Sequence, residues 1–133
     1  PRVSAIVSPV SAIKEVRVKL VDLQREISKG KSVILDGRDI GTVVFPSGDV
    51  KIYLVASPEE RAKRRLKEYE EKGVEADYES VLASIKERDF IDSTRKESPL
   101  KKAEDAHEID SSTMSIDEVV EVISKYIDEK IGA

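Results

Sequence analysis

The sequence contains no cysteine, and His107 is the one histidine among its 133 residues. Disulfides, thiolate nucleophiles, thiolate metal sites and imidazole clusters are therefore excluded. Any chemistry must run on carboxylates, arginines, lysines and hydroxyls. Asparagine is missing and glutamine occurs once, as Gln24, while Lys and Glu dominate, which is a thermophile-like composition. No run of 18 apolar residues and no charged-then-apolar leader is present, so a soluble, cytoplasmic chain without membrane contact is expected. Charge is not in excess of one sign: the net is −4, with 38% charged residues of both signs interleaved. That pattern argues against a nucleic-acid surface and for a solvated exterior laced with ion pairs.

What is present alternates between strand and helix patterns. Ile13, Val16, Leu20, Leu23 and Ile27 recur in steps of three and four, which predicts a helix with one buried face, ended by Gly30. Ser32–Asp36 and Val50–Val55 read as buried strands, the second opened by the turn Pro46-Ser47-Gly48-Asp49. Strands so uniformly apolar suit a parallel sheet covered on both faces. Ser57-Pro58-Glu59-Glu60 is a helix start with a capping box, and this helix runs to Lys72, closed by Gly73. A helix from about Tyr78 to Thr94, with Val81, Leu82, Ile85 and Phe90 on its apolar side, is followed by a short strand near His107–Asp110. Ser115–Glu118 opens a last helix with a second capping box, and Ile116, Val119, Val120, Ile123 and Ile127 form its inner face. The class is α/β.

Two stretches invite a chemical reading. Gly30-Lys31-Ser32 looks like the tail of a phosphate-binding P-loop, but Arg25 stands where the first glycine belongs, and the segment leads from helix to strand rather than the reverse. Gly30 is read as a helix terminator. Arg88, Asp92 and Arg95 fall at i, i+4 and i+7 on one helix, a spacing that equally describes a solvated ion-pair face. The turn Asp36-Gly37-Arg38-Asp39 between two apolar runs tips the balance toward a site. A strand ending in such a turn puts Arg38 and Asp39 at the carboxyl edge of a sheet, where open α/β folds bind ligands. Asp36, closing its apolar strand, is a candidate magnesium-linked carboxylate.

Four segments, DGRDIGTVVFP, SPEERAKRR, IKERDFIDSTRKESPL and IDSSTMSIDEVVEVI, in this order and at these distances, resemble the carboxyl-terminal part of bacterial cytidylate kinases, and Val7–Arg25 matches the stretch just upstream. The resemblance implies a partial P-loop nucleoside-monophosphate-kinase core, a parallel sheet with flanking helices, plus a helical lid. It also implies transfer of the ATP γ-phosphate to CMP or dCMP, with Mg2+ accompanying ATP. By matching position, Ser8, Arg17 and Asp39 would contact cytosine, Arg88 and Asp92 the ribose, and Arg38 and Arg95 the acceptor phosphate. Arg61, Arg64 and Arg65, on the helix leading into the lid, would approach the ATP phosphates.

The resemblance starts inside the family's acceptor-binding insert and lacks its P-loop and P-loop lysine. The chain is therefore expected to be a carboxyl-terminal fragment, inactive alone. Residues 1–12 would be a remnant of the monophosphate-binding region, 13–60 and 96–133 an incomplete core, and 61–95 the lid. The rival expectation is a non-catalytic nucleotide-binding remnant that self-associates through its truncated sheet edge.

Overall fold

Helices α1 (Arg2–Ser11) and α2 (Lys14–Ser28) open the chain in a computed structural model that describes residues 2–132. The predicted period of α2 is confirmed, but its most buried residues lie on another face, and of the expected face Val16 and Leu20 are half-buried. Arg17, Val21 and Ser28 are buried, whereas Ile13, Leu23 and Ile27 are exposed. Gly30 follows the helix with φ +71, a left-handed conformation that suits glycine, and so the Gly-Lys-Ser segment is a helix terminator.

The segment 32–36 is not a strand. Among the described residues it has no ladder partner, and Val33 and Ile34 are exposed, Ile34 by 91%, with Leu35 half-buried. A strand exists only through the neighbour that takes up its N–H and C=O groups, so an apolar run alone does not make one. The second apolar run is not a strand either. Ile40–Val44 forms a single-turn π-helix, in which Val44 N donates to Asp39 O at 3.1 Å and Phe45 N to Ile40 O at 2.7 Å. Such turns are rare and are found mostly at functional sites.

Strands β1 (Ile52–Val55) and β2 (His107–Asp110) pair in parallel, with Ile52 opposite His107 and Val55 opposite Asp110. The parallel geometry is the one expected, and a parallel pair requires a long crossover. It is supplied by α3 (Pro58–Glu71) and α4 (Tyr78–Thr94). The strands are only partly covered, since Leu54 is exposed and Ile109 is the one strand residue in the core. Ser111 N extends the ladder by donating to Val55 O at 2.7 Å. Helix α5 (Ile116–Ile131) follows, opened by the complete capping box of Ser115 and Glu118. Its expected inner face is half right: Val119, Ile123 and Ile127 are half-buried, while Ile116 and Val120 are exposed. Tyr126 of α5 stacks on His107, ring centroids 4.0 Å apart.

At α3, Ser57 Oγ accepts from Glu60 N at 3.1 Å, but the box is not reciprocal: Ser57 N donates to Ser112 Oγ at 3.0 Å, and Glu60 pairs with Arg64 at 3.4 Å. In α4, Val81 is buried and Phe90 is exposed.

These elements divide into two units. The first comprises the chain up to Gly48 together with Glu87–Ala103, and the second comprises Asp49–Lys86 with the chain from Glu104 onward. The DGRD turn belongs to the first unit and the β1–β2 sheet to the second, and neither strand of that sheet ends in the turn. Helix α4 contributes its amino-terminal half to the second unit and Glu87–Thr94 to the first.

Candidate functional site: an arginine-lined cavity in the first unit

The first unit encloses a cavity of about 140 Å³. Four segments line it, and three of them supply charge. Helix α1 brings Val7, Ser8 and Ser11, α2 brings Arg17 and Gln24, the turn before the π-helix brings Gly37, Arg38 and Asp39, and α4 brings Arg88, Asp92 and Arg95. On α2, Arg17 and Gln24 are two helical turns apart and so share a face, as do the three α4 residues. Gly37 has a steric reason: a Cβ there would stand 3.0 Å from Cγ1 of Ile40, tighter than ordinary contact.

Two carboxylates organise the arginines. Asp39, 2% exposed, is ion-paired through Oδ2 with Nη2 of Arg17, itself buried. Asp92, also 2% exposed, accepts from Nε of Arg38 at 2.9 Å, with Nε of Arg88 and Nη1 of Arg95 each at 3.9 Å. Arg95 also donates from Nε to the carbonyl of Ser98 at 2.8 Å. Burial pulls the Arg95 guanidinium below its ordinary pKa, and the neighbouring charge of Arg17 adds to that, against the opposing pull of Asp92 and Asp39.

Four guanidinium groups face two carboxylates, an excess of two positive charges in one cavity. Several polar atoms of the lining residues are buried without a hydrogen-bond partner: Ser8 Oγ, Arg17 Nε, Arg95 Nη2 and Gln24 Oε1. An unsatisfied buried polar group costs about 1–3 kcal/mol. Three of these four atoms are donors or include a donor, so an oxyanion with several acceptor oxygens is the complementary ligand.

Every residue nominated for base, ribose or acceptor phosphate lies in this cavity: Ser8, Arg17, Arg38, Asp39, Arg88, Asp92 and Arg95. Gln24 was not nominated. The signal for it was available, because it stands seven residues after Arg17 on the same helical face. Arg61, Arg64 and Arg65 belong to the second unit. There Arg61 Nε donates to Ala56 O at 3.0 Å, Arg64 Nη2 to Ser111 O at 2.5 Å, and Arg65 pairs with Glu68 at 3.5 Å. Asp36 is exposed on the unpaired segment and does not line the cavity. Among the described residues no group of three or more His, Asp or Glu is placed to hold a metal ion. This donor set, whose two cavity carboxylates are each paired with arginine, does not fit a resident magnesium ion.

The geometry defines an α/β protein with a cavity lined by four arginines and two aspartates. The cytidylate kinase family model matches residues 1–129. Curated relatives named cytidylate kinase include those of Fusobacterium nucleatum, 60% identical over 96% of this chain and 59% of the relative, and of Caldicellulosiruptor saccharolyticus, 52% identical over 99% and 58%. That of Enterococcus faecalis is 51% identical over 98% of this chain and 58% of its own length. The chain belongs to the cytidylate kinase family, and it spans just under three fifths of the length of these relatives.

Proposed function

We propose that this chain carries the acceptor-nucleotide site of a (d)CMP kinase, which transfers the γ-phosphoryl group of ATP to CMP or dCMP and releases ADP and (d)CDP. Magnesium enters as the ATP complex and is part of the substrate. The observation that supports this most is the gathering of the seven nominated side chains in one cavity with two excess positive charges. A monophosphate dianion matches that charge.

In this reading Asp39 accepts from the exocyclic amine of cytosine, while Arg17 and Ser8 donate to its acceptor edge. Uracil would present an oxygen to the same carboxylate. Arg88 and Asp92 hold the ribose. Arg38 and Arg95 clamp the acceptor phosphate, and a planar guanidinium can hold two of its oxygens at once. An oxygen of that phosphate attacks the γ-phosphorus as the bond to the β-γ bridging oxygen breaks, and the electron pair leaves with ADP. The protein's work is positioning and charge neutralisation, with no covalent intermediate, so a chain without cysteine and with one histidine suffices. Arg38 is the most exposed of the arginines paired with Asp92, which suits it to exchange that carboxylate for phosphate. The division into a core over 13–60 and 96–133 and a lid over 61–95 belongs to the same reading. There Arg61, Arg64 and Arg65 meet the ATP phosphates on closure, which excludes water and favours transfer over hydrolysis.

The test is Asp39→Asn in the full-length protein, assayed with CMP and UMP as acceptors. An amide can donate to the uracil oxygen as well as accept, so discrimination should fall by about 1–3 kcal/mol, the value of one good polar base contact. Unchanged CMP/UMP selectivity would make Asp39 a structural partner of Arg17 and nothing more.

A further inference from the structure

Arg25 does not line the cavity of the first unit, yet its side chain is fixed at two points. Its Nε donates to Val44 O at 2.9 Å and its Nη2 to Val43 O at 2.7 Å. These are the last two carbonyls of the π-helix, which lack donors within their own turn, as helix-terminal carbonyls do. The other end of the same turn is Asp39. Its carbonyl accepts from Val43 N at 2.9 Å, Val44 N at 3.1 Å and Thr42 Oγ1 at 3.4 Å, and its carboxylate is held by Arg17.

Helix α2 therefore grips the π-helix twice. Arg17 takes the first end and Arg25 takes the last, at points about 12 Å apart along a helix that rises 1.5 Å per residue. One attachment fixes a point and leaves rotation about it. Two attachments fix the direction as well. Between them Val44, 1% exposed, fills the space beneath the turn. We infer that Arg25 is a positioning residue that sets the orientation of the Asp39 carboxylate, and with it discrimination for cytosine, through the π-helix. Without Arg25 the turn keeps only the Arg17–Asp39 pair, and the carboxylate swings with the backbone that carries it. The planar fork of arginine matters because it serves two adjacent carbonyls at once.

This inference rests on Asp39 being the cytosine contact, and a double-mutant cycle separates the two. Arg25→Ala, Asp39→Asn and the double variant of the full-length protein are compared by the ratio of kcat/KM for CMP to that for UMP. Arg25→Ala should lower the ratio by about tenfold, within the up-to-hundredfold penalty of a 1 Å misplacement. In the Asp39→Asn background the same change should lower it no further, since the group it positions is gone. Arg25→Lys should recover part of the ratio. If the alanine variant does not fold, Arg25→Gln, which can serve one carbonyl, is read the same way. An unchanged ratio in Arg25→Ala, equal losses for CMP and UMP, or an additive loss in the double variant would overturn the inference while leaving Asp39 as the base contact. A ratio insensitive to Asp39→Asn would overturn both.

Discussion

Asp92 is the point on which the cavity's charge balance turns, and Asp92→Asn removes its charge while keeping its shape. Three arginines face it, and their exposure decides what each contributes. The Arg38 contact is the shortest, 2.9 Å, but that side chain is 40% exposed, so screening limits it to about 0.5–1 kcal/mol. Arg88 is farther, at 3.9 Å, and partly exposed. Arg95 is as buried as Asp92 itself, 3% exposed for each side chain, and is repelled by Arg17 and Arg38. Removing one partner of a buried ion pair costs about 3–5 kcal/mol, because the other charge is left without compensation. At 3.9 Å the pair is not hydrogen-bonded, which puts the expected loss near the lower bound, about 3 kcal/mol. Urea unfolding reads it as a lower midpoint at unchanged m value. Salt separates the parts: in 1 M NaCl, with a screening length of about 3 Å, the exposed Arg38 contribution should vanish and the buried one persist. A deficit below about 1 kcal/mol at low salt, or one that disappears in high salt, would refute the argument and return this cluster to a solvated ion-pair face.

Arg95→Ala in the full-length protein should lower kcat/KM for CMP by roughly 10²–10³ if the guanidinium stabilises the phosphoryl group in transit, and Arg95→Lys should recover only part, as steady-state kinetics would show. Because Arg95 is buried and bonded to Ser98 O, the alanine variant should also lose stability, unlike an exposed helix-face arginine, and thermal unfolding checks this. Ser115→Ala removes the hydroxyl that caps α5 and should destabilise the protein by about 1 kcal/mol in denaturant unfolding. Asp77, Asp105 and Asp110 are held below the ordinary aspartate value of 3.8, mainly by hydrogen bonds from Ser80, Lys51 and Ser112 respectively. A depressed folded pKa gives stability that is complete above the unfolded value and is lost as pH falls through the folded one. Thermal unfolding should therefore show no contribution from these three to pH dependence between pH 7 and about 5, and a decline below about 4.

Much of this was legible where a local rule acts alone. The limits of α4 and β2 and the capping box of α5 follow from turn residues, caps and short-range period, and the structure places them where the sequence pattern did. The failures share a cause. Ser32–Asp36 and Ile40–Val44 are both β-branched runs flanking one turn, and the same composition yields an unpaired segment in one and a π-helix in the other. What separates them is the presence of partners: Arg25 and Asp39 satisfy the second run's backbone, while the first has no ladder neighbour among the described residues. Partners distant in sequence leave no mark on local period.

The candidate site was legible residue by residue through motif order, but its burial was not, and α2 explains why. The helix carries two stripes of helical spacing. One is apolar, through Ile13, Val16, Leu20, Leu23 and Ile27, and the other is Arg17, Val21, Gln24 and Ser28. Hydrophobicity alone selects the first. The structure buries the second more deeply, with Val16 and Leu20 of the first half-buried, because Arg17 has a buried carboxylate to meet and Ser28 donates back to Gln24 O at 2.8 Å within its own helix. A buried ion pair stabilises no more than a packed apolar pair of the same size and often less. Packing energy therefore gives no reason for this side of α2 to face inward, whereas the charged ligand of the proposed function would. The polar stripe, its unsatisfied Arg17 Nε and Gln24 Oε1, and the buried Asp39 opposite it form one arrangement, which under the proposed function exchanges part of the helix's apolar burial for a preformed site. Under the proposed acceptor-site reading, turning Arg17 inward and Leu23 outward is how this helix meets a charged substrate.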